Sequence, residues 1–131
     1  QRNDLPFPEA VCEATYHASN SIDADSIIAF TQTGSTAGLI SKYRPRATIL
    51  APTPHPKILN RLTLYWGVNP LLMREISNVD QLIEELDDIL LTKGLVQAGA
   101  NIVIITGAPI VEKGHTSLMK LHTVSGRTSR P

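Results

Sequence analysis

Cysteine is almost absent: Cys12 is the only one in 131 residues. No internal disulfide can form, so packing alone must hold the fold, in keeping with a reducing compartment. Cys12 itself falls within a helical pattern and reads as a packing residue. Aromatics make up only 5% of the chain, which leaves the core to aliphatic side chains, and 42% hydrophobic content is enough for one modest core. Neither sign of charge prevails, because twelve Lys and Arg offset twelve Asp and Glu. That balance excludes a global field drawing the chain to nucleic acid or to an anionic membrane, so any anion site must be local. No apolar run approaches the roughly 20 residues that span a bilayer and no signal peptide opens the chain, so a cytoplasmic location is expected. The P-loop lysine pattern, the three-glycine dinucleotide fingerprint and the G-x-S-x-G elbow are all missing. The chain begins at Gln1 rather than at a methionine, which reads as a piece of something longer.

What is present is a stretch at 27–40 that runs without a linker from an apolar strand, through hydroxyls and a glycine, into an amphipathic helix. Thr31, Gln32, Thr33, Gly34, Ser35 and Thr36 make the turn. A helix starting there aims its unpaired backbone N–H groups, and the positive end of its dipole, at the space above the strand end. Thr31, Thr33, Ser35 and Thr36 add hydroxyl donors, while Gly34 permits backbone angles that other residues resist. Together these features imply a phosphate pocket. The plainer alternative is an ordinary turn in which Ser35 or Thr36 caps the helix and nothing else binds.

Around this stretch, helices and strands alternate. A first helix from Pro8 to Asn20 repeats Val11, Ala14, Thr15 and Ala18 at helical spacing, and Glu13 with His17 reads as a solvated surface pair. The first strand, 27–31, is apolar throughout. The helix after it turns Ala37, Ile40 and Tyr43 inward and ends at Arg44, since Pro45 forbids continuation. A strand at 48–51 and a proline-punctuated loop lead to a helix presenting Ile58, Leu59, Leu62, Tyr65 and Trp66 until Gly67 ends it, with Trp66 read as core or interface packing. A short strand at 68–73 contains Pro70, which argues for a sheet edge or end. Asn78 and Gln81 resemble a capping box for the longest helix, whose stripe is Val79, Leu82, Ile83, Leu86, Ile89, Leu90 and Val96. Its acidic side, Glu84, Glu85, Asp87 and Asp88, reads as solvated charge. A buried strand at 101–106, an irregular segment at 107–116 and an alternating edge strand at 117–124 complete the pattern.

This alternation predicts an α/β three-layer sandwich. Its sheet is mainly parallel and five-stranded, with one antiparallel edge strand, right-handed crossovers and helices on both faces. Residues 1–124 read as one domain and 125–131 as a tail, disordered in isolation. Ligands of such sheets bind beyond the carboxyl ends of the strands, where the loops after the first and fourth strands both end. If those two strands are neighbours, Lys113 and His115, with Gly114 between them, approach the hydroxyl-rich turn and close on a phosphate from the far side.

Specific motifs add a resemblance. The run Thr31-Gln32-Thr33-Gly34-Ser35-Thr36, the segment 41–51, Trp66-Gly67-Val68 and the closing Gly114-His115-Thr116-Ser117-Leu118-Met119-Lys120-Leu121-His122 stand in the order found in the C-terminal domain of pyruvate kinase. The chain resembles that family over residues 4–124. The resemblance implies a regulatory domain without catalytic residues, inactive alone, with no metal or cofactor of its own. Magnesium, potassium and substrate ligands belong to a separate catalytic domain of the family, which transfers phosphate from phosphoenolpyruvate to ADP in glycolysis. It also implies an allosteric effector held by the turn at Thr31–Thr36, and subunits paired in a homotetramer through the edge strand and helices. Bisphosphate binders of the family carry an Arg near the start of the long helix, where this chain reads Asn78-Val79-Asp80-Gln81-Leu82. A sugar phosphate or nucleoside monophosphate effector is therefore expected rather than a bisphosphate. The alternative is a purely structural oligomerisation domain with an empty loop.

Overall fold

The computed structural model describes residues 7–30, 34–76, 78–107 and 117–125. Its elements are α1 (Phe7–Ser21), β1 (Ser26–Ala29), α2 (Ser35–Ser41), β2 (Thr48–Thr53), α3 (Pro56–Leu62), β3 (Val68–Leu72), α4 (Val79–Thr92), β4 (Asn101–Gly107) and β5 (Ser117–Thr123). The strands form one sheet in the order β3-β2-β1-β4-β5, with β1 at its centre. All pairings are parallel except β4 with β5, which runs antiparallel from Asn101↔Thr123 to Gly107↔Ser117. The expected α/β sandwich is the observed one, and β3 and β5 are its two edges.

Alternation along each strand sorts the core into two layers. Ile27 and Ala29 of β1, Ile49 and Ala51 of β2, and Val103 and Ile105 of β4 pack against Cys12, Ala37, Ile40, Ile58 and Leu62 from α1, α2 and α3. Ile28, Phe30, Leu50, Ile102 and Ile104 face the other way, against Leu82, Leu86 and Leu90 of α4. Helix α4 thus covers one face alone, and α1, α2 and α3 cover the other; α1, with 15 residues against 14 for α4, is the longest helix rather than α4.

Several local expectations shift, each for a physical reason. Helix α2 stops at Ser41 rather than Arg44, because Arg44 takes a left-handed φ of 48° that an α-helix cannot include. Tyr43, read as a helical core position, instead lies in the following turn and stacks on Tyr16 of α1, with ring centroids 5.4 Å apart. Helix α3 ends at Leu62, so Tyr65 and Trp66 lie outside it. Trp66 is 49% exposed, with the Arg44 guanidinium carbon 4.8 Å from its ring centroid. Strand β2 continues through Pro52 to Thr53, and Met73 N–H donates to the Thr53 carbonyl at 3.0 Å. Val96 lies beyond the end of α4 yet stays buried.

The acidic side of α4 is also not uniformly solvated. Asp87 is buried, at 6% exposure. His122 Nε2 lies 3.0 Å from each of its carboxylate oxygens, and Ser125 N–H donates to Oδ2 at 3.3 Å. A buried carboxylate survives because it is hydrogen-bonded. Because a carboxylate only accepts, the contact requires the proton on Nε2. Glu85, by contrast, pairs with the exposed Arg74. Residues 1–6 and 126–131, including most of the expected tail, lie outside the described residues.

Candidate functional site

Strands β1 and β4 are direct neighbours, in register from Ser26↔Ile102 to Ala29↔Ile105. The pairing extends one step past β1, where Phe30 N–H donates to the Ile105 carbonyl at 3.0 Å. The segments that leave the two strands therefore emerge side by side at the carboxyl edge of the sheet. This adjacency is the condition that the sequence reading placed on a two-sided pocket. Of its members, Gly34, Ser35 and Thr36 belong to the described residues. Thr31, Gln32, Thr33, Lys113, Gly114 and His115 lie outside them.

Gly34 is the N-cap of α2, with φ 95° and ψ −7°, and its carbonyl accepts the first helical bond, from Gly38 N–H at 3.0 Å. A left-handed residue at this point reverses the chain directly into the helix, and glycine takes that conformation without steric cost. Gly34 also lies close to α3: a β-carbon there would stand 3.5 Å from Leu62 Cδ2 and 3.8 Å from Ile58 Cγ2. Ser35 is exposed and Thr36 half-buried, both in the first helical turn rather than at the cap. The backbone of Thr36 is tied to α1, where the Cys12 Sγ approaches its carbonyl at 4.0 Å. Burial, with the Glu9 carboxylate adding to it, pushes the Cys12 thiol up to about 11, so Cys12 is a packing residue and not a nucleophile.

One polar residue at this edge escaped the sequence reading. Thr106, the penultimate residue of β4, is 2% exposed, and its hydroxyl has no hydrogen-bond partner among the described residues. In sequence it marks only the end of an apolar strand, and nothing there signals an orphaned hydroxyl. Two open spaces among the described residues lie elsewhere. A cleft of about 250 Å³ between α1 and α2 is lined by Glu9, Cys12, Leu39, Lys42 and Tyr43, and a wider one at the amino ends of the strands by Asp25 and residues 94–100. Among the described residues no cluster of His, Cys, Asp or Glu is placed to hold a metal, and Glu13 with His17 forms none. No helix there is long and apolar enough to cross a membrane.

The family model for the pyruvate kinase alpha/beta domain matches residues 9–122. This chain belongs to that family. It is 38% identical to the pyruvate kinase of Lactobacillus delbrueckii subsp. bulgaricus over 122 residues, covering 93% of this chain and 21% of the relative. It is 40% identical to the pyruvate kinase of Lactococcus lactis subsp. lactis over 116 residues, 88% of this chain and 23% of that one. Among solved structures, Cryptosporidium parvum pyruvate kinase in complex with ADP superposes with a TM-score of 0.82 at 29% identity, over 92% of this chain and 24% of that one. The chain thus spans about a fifth to a quarter of the pyruvate kinases it matches. As a pyruvate kinase alpha/beta domain, it holds Gly34 and the strand ends in the arrangement described above.

Proposed function

We propose that this domain is the regulatory part of a pyruvate kinase and binds a phosphorylated effector at the carboxyl edge of its sheet. The turn of Thr31, Gln32, Thr33, Gly34, Ser35 and Thr36 clamps the phosphate, and Lys113, Gly114 and His115 close over it. The observation that carries this reading is the direct pairing of β1 with β4, which starts both segments side by side, beside a left-handed Gly34 opening α2. The first turn of α4 contributes Asp80, and 78–82 supplies no cation. A sugar monophosphate or a nucleoside monophosphate therefore suits the site better than a bisphosphate.

In this reading the parent enzyme is a glycolytic phosphotransferase acting in the cytoplasm on phosphoenolpyruvate and ADP. Its magnesium and potassium sit in a catalytic domain to which this one is joined, and this domain transfers no phosphate alone. An effector that closes the two segments more tightly in one arrangement of a homotetramer shifts the enzyme toward that arrangement. A coupling of about 1–3 kcal/mol changes substrate affinity roughly 5- to 150-fold. Isothermal titration of the 131-residue chain with ribose 5-phosphate, adenosine monophosphate and fructose 1,6-bisphosphate tests the reading. Heat is expected from one of the monophosphates, and no heat from any ligand, with normal folding, removes the hypothesis.

A second reading, pure subunit assembly, is favoured by Met119 and Leu121, 38% and 50% exposed on the edge strand β5. A Thr36→Glu variant separates the two. A carboxylate in the pocket abolishes the ligand response and leaves assembly intact if the effector reading is right.

A further inference from the structure

We propose that the cleft between α1 and α2 is a separate binding site for a small zwitterion whose ammonium and carboxylate are held apart by apolar carbons, with Glu9 taking the ammonium and Lys42 the carboxylate. The inference does not depend on the effector reading, and its cation stands at the opposite end of α2 from Gly34. The space measures about 250 Å³. Pockets for drug-sized ligands run from roughly 300 to 1,000 Å³, so this one suits a smaller metabolite.

The walls come from two helices. Glu9 stands in the first turn of α1, and Cys12, three residues on, shares its face. Across the cleft, Leu39 lies in the last turn of α2 and Lys42 is its C-cap, with its backbone N–H bonded to the Leu39 carbonyl at 3.2 Å. Tyr43 completes the lining, and its ring is held by the stack on Tyr16. Walls fixed in this way before a ligand arrives lower the entropic cost of binding.

The charges select the chemistry. Glu9 and Lys42 are both exposed, and among the described residues no ion pair joins them to each other or to any other side chain. The surface they share is apolar: Leu39 is half-buried, and Cys12 is buried with its Sγ turned to the Thr36 carbonyl at 4.0 Å. That surface is also uncharged, because burial, and then the Glu9 carboxylate, pushes the Cys12 thiol up to about 11 and keeps it protonated at neutral pH. The effect of Glu9 on the sulfur puts its carboxylate on the cleft side of α1. A simple anion drawn in by Lys42 meets Glu9, and a simple cation drawn in by Glu9 meets Lys42. A molecule with both charges offers each wall the opposite sign, through charge-assisted hydrogen bonds. Since the two side chains do not close on each other, the ligand's charges must also stand apart, with methylenes against Cys12 and Leu39. An ω-amino acid has that form, whereas an α-amino acid carries both charges on one carbon.

Titration calorimetry of the 131-residue chain at neutral pH tests this with 5-aminopentanoate, pentanoate, pentylamine and L-norvaline. The first should bind at least about tenfold more tightly than pentanoate or pentylamine, each of which lacks one charge-assisted hydrogen bond. L-norvaline, its isomer with adjacent charges, should bind more weakly than it does. Glu9→Gln should weaken 5-aminopentanoate about tenfold and tighten pentanoate, and Lys42→Gln should weaken it likewise and tighten pentylamine. Both side chains are exposed, so neither change should move the urea midpoint, and a merely structural role would not produce this crossed pattern. Amide NMR shifts on adding 5-aminopentanoate should centre on residues 9–12 and 39–43. No heat from 5-aminopentanoate, affinity for either single-charge analogue within about twofold of it, tighter binding of L-norvaline, or shifts centred elsewhere would each overturn the proposal. All of these results leave the effector reading standing, since its probes are phosphates.

Discussion

The contact between Asp87 and His122 ties the edge strand β5 to α4, and its strength can be worked from the structure. The Asp87 side chain is 8% exposed and that of His122 18%. Asp87 has two donors, His122 Nε2 and Ser125 N–H. Replacing His122 with Ala leaves the carboxylate with the backbone donor alone. Breaking a buried pair from one side costs about 3–5 kcal/mol, and a hydrogen bond to a charged group contributes about 1.5–3 kcal/mol. Because Ser125 remains and some water reaches His122, the expected loss is about 2–3 kcal/mol, a large share of the roughly 5–15 kcal/mol that holds a domain together. Asp87→Ala should cost less, about 1–2 kcal/mol, since the imidazole left behind at a partly open site can turn to water. The double variant should then fall short of the sum by about 1–2 kcal/mol. Urea unfolding of the four proteins measures the cycle, and the midpoints are expected to move at constant slope. Hydrogen exchange should show protection lost at β5 while β1 keeps its own. Additivity within about 0.5 kcal/mol would mean that the pair does not hold the strand, and the reasoning would fail.

Three further outcomes follow from local geometry. Gly34→Ala should lower stability by about 1–2 kcal/mol through backbone strain alone, since a left-handed conformation penalises any β-carbon while the neighbouring Leu62 leaves ordinary room; an unchanged urea midpoint would contradict this. At Gly38 a β-carbon would stand 2.8 Å from Cε1 and Cζ of Tyr65, so Gly38→Ala should lose about 1–3 kcal/mol to overpacking against at most about 1 kcal/mol of helix propensity, and adding Tyr65→Leu should reverse the loss. The Cys12 thiol ionises near 11 when folded and near its ordinary value of 9.0 when unfolded, so the unfolded chain releases the proton first. Stability should therefore decline as pH rises through that window, by about 1–3 kcal/mol in all, and Cys12→Ala should flatten the profile there.

The sheet and the long helix were readable because their signals are periodic and local. Ile27 and Ile28 of β1, like 102–105 of β4, are apolar without a break because both faces of a central parallel strand are covered. The stripe of α4 repeats at helical spacing and, Val96 apart, falls on the helix as expected, behind the Asn78 cap. The misplaced residues are those whose setting depends on something distant in sequence. Asp87 looks like its solvated neighbours on α4 until His122, 35 residues on, arrives opposite it. Trp66 and Tyr65 continue the periodicity of α3, but the helix has ended at Leu62, where Ser41 of α2 reaches over to donate to the Trp66 carbonyl at 2.6 Å. Pattern alone cannot see such a contact.

The candidate site belongs to this second kind. Its hydroxyl-rich turn is legible by itself, yet a turn becomes a pocket only when another segment faces it, and that requires β1 beside β4 rather than beside β5. Neither strand shows the choice by itself, since residues 27–29 of β1 and 102–105 of β4 are both short apolar runs. Helix α4 packs across that pairing: its apolar stripe covers Ile28, Ile102 and Ile104 together, and its Asp87 meets His122 on the outer strand.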